Sequence, residues 1–250
     1  MSQIKVTYLD HCGSDLTTVN AARVSFGKES GWDFECDCVT DLSCIHAGGC
    51  DCGEPSKFRQ LKPKDSKLIK YLAEHKHFSP FGHAFASFHV KAPIFVARQL
   101  VKHKFLRWNE ISRRYVDDEP EFYVPDVWRG RSADKKQGSD GVITTSCVTD
   151  YGGEYTHPKF AAKDVCDVSL HIYKSMISAG VAPEQARMVL PQSTMTEWYW
   201  SGSLDAFADM AKLRCKEDTQ YETRLVANQI SEHMQELFPH SWKALVGEQK

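Results

Sequence analysis

The chain has 250 residues, 42% of them hydrophobic and 26% charged, enough apolar material for a full core and outside the range of disordered chains. A formal net charge of -2 offers nucleic acid no bulk attraction, since its phosphates reward an excess of Lys and Arg, and no stretch approaches the roughly 20 apolar residues of a membrane span. Nine cysteines follow a start, Met1-Ser2-Gln3, that resembles no signal peptide, so reduced thiols in a cytoplasm are expected rather than a disulfide scaffold.

Ile4, Val6 and Tyr8 alternate with Lys5, Thr7 and Leu9, which predicts an N-terminal strand. A cysteine-rich insertion follows at about residues 32–55, with Cys36, Cys38, Cys44, His46, Cys50 and Cys52 among acidic neighbours. Two Cys-x-Cys pairs around a Cys-x-His hold ligand types that zinc accepts. Their spacing is not that of a Cys-x-x-Cys knuckle, and a surface insertion with free thiols competes with the metal reading. Further on, Ser66 is placed to cap a helix carrying Leu68, Ile69 and Leu72, and Ala84, Ala86, Phe88 and Val90 alternate as a strand face. Pro93 then fits the start of a helix with Ile94, Ala97 and Val101 turned inward. On that helix Gln99, Lys102 and His103 share a face, because positions three and four apart are neighbours.

The most informative stretch is Arg98 to Tyr115, RQLVKHKFLRWNEISRRY. Lys102, His103 and Lys104 stand side by side, Arg107, Arg113 and Arg114 follow, and only Glu110 balances them. The chain has neither GxGxxG nor GxxxxGK. A bound nucleotide must therefore have its phosphates held by fixed cationic side chains.

Residues 129–158, rich in Gly, Ser, Asp and Lys, read as a flexible loop. Beyond them the pattern is largely helical: Val165 to Ser178, Pro183 to about Leu190, Leu204 to Arg214, and Tyr221 to Leu237, with Pro239 closing the last. Trp198, Tyr199 and Trp200 read as core or interface aromatics. The expectation is one α+β domain over residues 1–250, with an antiparallel or mixed sheet and a helical C-terminal half.

Lys102-His103-Lys104, seven residues and Ser112, with the tail Asn109-Glu110-Ile111-Ser112-Arg113-Arg114-Tyr115, resemble the signature of the flavin-dependent thymidylate synthases, the ThyX family. In that signature an Arg-His-Arg triplet precedes the serine at this spacing. Here both arginines are lysines, which keep the charge and lose the planar bidentate fork. Three further landmarks fit: His75 to His83 leading into Phe88 to Gln99, Ala186-Arg187-Met188-Val189-Leu190-Pro191, and Leu213-Arg214 before Gln220-Tyr221-Glu222.

The resemblance implies a ThyX-like fold and FAD-dependent methylation of dUMP to dTMP, with 5,10-methylenetetrahydrofolate as carbon donor and NADPH as reductant. It implies a homotetramer in the cytoplasm, without nucleic-acid or membrane partners. Carried over by position, Gln99, Lys102, Glu110, Ser112, Arg113, Arg114, Arg187 and Arg214 would bind dUMP. Arg214 would be catalytic, stabilising negative charge that develops on the uracil. Ser79, Lys102, His103, Lys104, Glu110, Ser203 and Asp209 would contact FAD, although an acidic Asp209 suits a flavin phosphate poorly. His77 and His83 would border the flavin and folate.

Two rivals keep other chemistries open. A dUMP 5-hydroxymethylase would use the same fold, folate and flavin. A zinc- and nucleic-acid-binding module would use Phe105, Trp108 and Tyr115 beside the basic residues, against the acidic balance of the chain. A folate-only thymidylate synthase would need a catalytic cysteine in a setting that this sequence lacks.

Overall fold

The computed structural model describes residues 2–34, 59–116, 118–133, 139–148, 154–155 and 157–247. The cysteine-rich residues Cys36, Cys38, Cys44, His46, Cys50 and Cys52 lie outside the described residues, as does the zinc reading built on them. By internal contacts the chain divides into two compact units.

The first unit comprises Met1–Asp10, Ala86–Gly202 and Ala206–His233. It contains most of a four-stranded sheet in the order β1-β4-β10-β5, from β1 (Lys5–Cys12), β4 (Phe85–Pro93), β5 (Arg107–Glu110) and β10 (Met195–Ser203). β4 is the strand that the alternation predicts: Ala86, Phe88, Val90 and Ala92 are all buried. A seven-residue helix α3 (Ile94–Leu100) follows at once. It is anchored where the Ile94 and Phe95 N–H groups donate to the carbonyls of Thr194 and Gln192 at 2.9 and 3.2 Å. Its inward face is Val96, Ala97 and Leu100, whereas Val101 is 48% exposed. The helix stops at Leu100, so Lys102 and His103 belong to the turn after it and not to a helical face shared with Gln99.

β10 lies among the predicted helices, in a stretch for which the sequence reading assigns no element. Met195-Thr-Glu-Trp-Tyr-Trp-Ser-Gly-Ser203 buries every second side chain in its middle, with Trp198 and Trp200 at 1% and 0% exposure and Tyr199 at 56%. β-branched and aromatic residues at period two belong to a half-buried strand. It runs antiparallel to β5, Trp198 opposite Glu110 and Trp200 opposite Trp108. Gly202 is required here by close approach, since a Cβ would lie 2.4 Å from Leu106 Cδ2 and 3.4 Å from the Phe105 carbonyl. Residues 129–158 include two short pairings, β6 (Arg129–Arg131) with β7 (Ser139–Val142) and β8 (Cys147–Val148) with β9 (Glu154–Tyr155). The helices α4 (Pro158–Ser178), α5 (Pro183–Ala186), α6 (Leu204–Arg214) and α7 (Tyr221–Leu237) match the predicted ones, α4 beginning earlier at a Pro in its first turn.

The second unit comprises His11–Phe85, Ser203–Asp205 and Met234–Lys250. It holds α1 (Asp15–Arg23), the paired β2 (Asp33–Phe34) and β3 (Arg59–Gln60), α2 (Pro63–Glu74), a 3-10 turn at Ser79–His83, and α8 (Pro239–Val246). Pro239 thus opens a further helix. The buried Asp15 carboxylate accepts from the His240 and Ser241 N–H groups at 3.0 and 2.8 Å, satisfying the N-terminus of α8 with a charge of the right sign. α2 starts at Pro63, so Ser66 is no cap; its hydroxyl meets His240 Nδ1 at 3.1 Å.

Candidate nucleotide site

Glu110 ends β5, and the antiparallel register sets Trp198 opposite it and Thr196 diagonally across on the same face. Thr196 Oγ1 donates to Glu110 Oε1 at 2.6 Å, and Trp108 Nε1 donates to Oε2 at 3.0 Å. The Trp108 ring is itself fixed by stacking on Trp198, with centroids 4.3 Å apart. Glu110, Arg113 and Arg187 line a cavity of about 120 Å³ together with Ile94, Met195 and Thr196. The structure therefore brings three predicted nucleotide residues, two from the basic signature and one from the Ala186–Pro191 landmark, to one place. Arg113 is oriented by Asp118, donating to its carbonyl at 3.0 Å and its carboxylate at 3.3 Å. Arg187 Nε donates to the Glu184 carbonyl at 3.2 Å. Ser112 and Arg114 form a local pair, Arg114 Nε to Ser112 Oγ at 3.0 Å, with the guanidinium 4.9 Å from the Tyr115 ring centre.

A second cluster forms where α6 meets the turn after α3. Arg214 Nε donates to His103 Nε2 at 3.2 Å, and Nη2 donates to the Gln99 carbonyl at 3.3 Å. An acceptor Nε2 means that the imidazole is neutral, with its proton on Nδ1. Burial and then the Arg214 charge push the His103 pKa down to about 4, while Asp209 acts in the opposite sense. Burial also lowers the Arg214 pKa, but a guanidinium remains charged at any working pH. The Gln99 side chain donates to that of Gln220, which in turn donates to Glu222 at 3.2 Å. Arg129 pairs with Glu222 at 3.5 Å and lies 3.6 Å over the Tyr221 ring.

Lys102 and Lys104 are exposed in the turn, as is Arg107 at the start of β5. None of the three has an ion-pair partner among the described residues. Such a donor set suits a polyanion: uncommitted cations that can move onto an anion, beside a neutral histidine. Asp209 is exposed and pairs with Lys212 at 3.3 Å, and its proximity to His103 gives it an electrostatic part in the second cluster. Of the other predicted cofactor residues, Ser79, His77, His83 and Ser203 belong to the second unit. Ser79 and His83 are exposed at the two ends of the 3-10 turn; His77 is exposed near Tyr71, with ring centres 6.3 Å apart. Ser203 is half-buried as the last residue of β10.

Thr196 is not among the residues that the sequence singles out, because the sequence reading contains no strand at β10. The signal was available in the alternation Thr196-Glu197-Trp198-Tyr199-Trp200. No described helix is long and apolar enough to cross a membrane.

Residues 7–240 match the family model of the thymidylate synthase complementing protein. The chain is 33% identical to the flavin-dependent thymidylate synthase of Thermus thermophilus over 239 residues, covering 96% of this chain and 74% of that one. It is also 33% identical to the flavin-dependent thymidylate synthase of Thermosipho africanus over 242 residues, covering 95% and 89%. Among solved structures, the UMP/dUMP methylase PolB from Streptomyces cacaoi, bound with 5-Br UMP, superposes with a TM-score of 0.73 at 28% identity, over 98% of this chain and 95% of that one. A match along nearly the whole chain, spanning all four landmarks that carry the resemblance, places this protein in the flavin-dependent thymidylate synthase family.

Proposed function

We propose that the protein converts dUMP to dTMP with a flavin cofactor, and more finely that the flavin is FAD, the carbon donor 5,10-methylenetetrahydrofolate and the reductant NADPH. The observation that carries the reading is the convergence of Glu110, Arg113 and Arg187 on one cavity: guanidinium groups suited to a phosphate, and a carboxylate suited to the hydroxyl or ring N–H of a nucleoside. Gln99, Lys102, Ser112 and Arg114 complete the nucleotide set in this reading. Lys102, His103, Lys104 and Glu110 serve the flavin, joined by Ser79, Ser203 and Asp209, with His77 and His83 at its border.

Bound FAD, once reduced, supplies the hydride that completes the methyl group. The chain's own part is positioning and charge. Arg214, fixed by the Gln99 carbonyl and the neutral His103 imidazole, stabilises negative charge that develops on the uracil ring as C5 attacks the one-carbon unit. A preorganised cation costs no reorganisation at that moment. The cysteines within the described residues, Cys12, Cys147, Cys166 and Cys215, carry no role in this scheme; burial pushes the Cys215 thiol up to about 11, away from nucleophilic use. The whole chain acts as one domain within a homotetramer in the cytoplasm.

Expression in a bacterium lacking thymidylate synthase tests the activity. Growth without added thymidine is the expected result, and the Arg214→Ala variant should fail to support it. Continued dependence on thymidine, with soluble flavin-loaded protein present, would overturn the proposal.

A further inference from the structure

Glu110 is the one carboxylate lining a cavity that also holds two guanidinium groups, yet it pairs with neither. Its two oxygens instead accept one neutral donor each, from Thr196 and Trp108. Arg113 is turned to Asp118 and Arg187 to the Glu184 carbonyl. A carboxylate free to rotate beside two arginines would gain by closing onto one of them in a bidentate pair. That would neutralise the charge that a phosphate needs and consume the acceptor that a nucleoside needs. What prevents this is a neutral clamp. Thr196 is 5% exposed as the second residue of β10, its β-branched side chain restricted at χ1, so its hydroxyl has few directions open to it. The indole of Trp108 is held by its stack on Trp198. By contrast, the indole N–H groups of Trp198 and Trp200 are buried without a partner among the described residues, so the Trp108 N–H alone of the three is spent on Glu110.

We propose that Thr196, supported by Trp108, is a positioning residue for the nucleotide. It holds the Glu110 carboxylate away from Arg113 and Arg187, which leaves the arginines for the phosphate and the carboxylate's remaining lone pairs for a donor on the sugar or base. The inference rests on the nucleotide reading of this cavity given above. It adds a residue that the family signature does not contain, contributed by the strand that pairs with Arg107–Glu110 inside the signature.

The test is calorimetric titration of flavin-loaded protein with dUMP. Thr196→Val, which keeps the shape and removes the hydroxyl, should weaken dUMP binding about tenfold or more, as expected for loss of a hydrogen bond to a charged group. Thr196→Ser should bind within about twofold of the parent protein, since the donor is retained. Trp108→Phe should weaken binding in the same direction. In a Glu110→Gln background, Thr196→Val should add little, because the group it positions is gone. Unchanged binding by Thr196→Val, equal loss in the Val and Ser variants, or a full tenfold loss on top of Glu110→Gln would each overturn the inference. If the parent protein itself bound no dUMP, the functional reading would fall first. If the parent binds dUMP and only the Thr196 pattern is absent, this inference alone fails.

Discussion

Two sets of cations around His103 are held in opposite ways. Arg214 is held at two atoms by the chain itself, through the Gln99 carbonyl and a neutral His103. Lys102 and Lys104, the flanking residues of that same histidine, are exposed and without ion-pair partners among the described residues. A group that must meet charge developing at one position gains from being fixed beforehand. Groups that grip a flexible polyanion gain from mobility, which lysine supplies and arginine supplies less. In the proposed scheme the two lysines of the signature fall on the set of cations that tolerates mobility, and Arg214 is the one that the chain holds in place.

This contrast can be broken by substitution. Arg214→Ala should lower turnover of dUMP by roughly two to three orders of magnitude, the scale of removing one preorganised charge-stabilising donor, with flavin content per subunit close to that of the parent protein. Lys102→Ala should do the reverse, reducing bound flavin after purification with a smaller loss of turnover once FAD is saturating. Equal losses of both properties in both variants would erase the distinction between the clusters.

His103 sharpens it through pH. Its folded pKa of about 4 lies below the ordinary histidine value of 6.5. Between the two the unfolded chain binds the proton and the folded chain does not, so the contribution to stability is present above about pH 6.5 and lost as pH falls toward 4. His103→Gln, which cannot titrate, should lose less thermal stability than the parent protein between pH 7 and 4.5. An identical loss in both proteins would mean that the imidazole is not held neutral. The smallest effect concerns the strand pair. Gly202→Ala should cost about 1–3 kcal/mol through overpacking against Leu106, 2.4 Å from the added Cβ, as read by thermal or urea unfolding. Unaltered stability there would show that the turn before β5 yields.

Much of this was legible in the sequence, and the exceptions have physical causes. Helices α6 and α7 follow from apolar spacing between clear punctuation, and β4 follows from alternation of Ala86, Phe88, Val90 and Ala92 with Ser87, His89 and Lys91. The proposed nucleotide residues Glu110, Arg113 and Arg187 are picked out only by order along the chain. Their meeting in one cavity depends on β10, a strand set among helices, so the register that delivers Thr196 to Glu110 was out of reach. Lys102 and His103 were placed on a helical face because three-and-four spacing was extended past Leu100, where the chain turns. That turn is what lets His103 meet Arg214, a partner 111 residues away. Local periodicity carries no information about such a contact.

The most direct measurement is the mass of the nucleotide formed when purified protein receives FAD, NADPH, methylenetetrahydrofolate and dUMP without oxygen. The account predicts dTMP, 14 mass units heavier than dUMP as one CH2 requires, formed roughly two to three orders of magnitude more slowly by Arg214→Ala. Unchanged dUMP in the presence of bound, reducible flavin would contradict it, and a product heavier by a further oxygen would show that the same site makes the hydroxymethyl nucleotide instead.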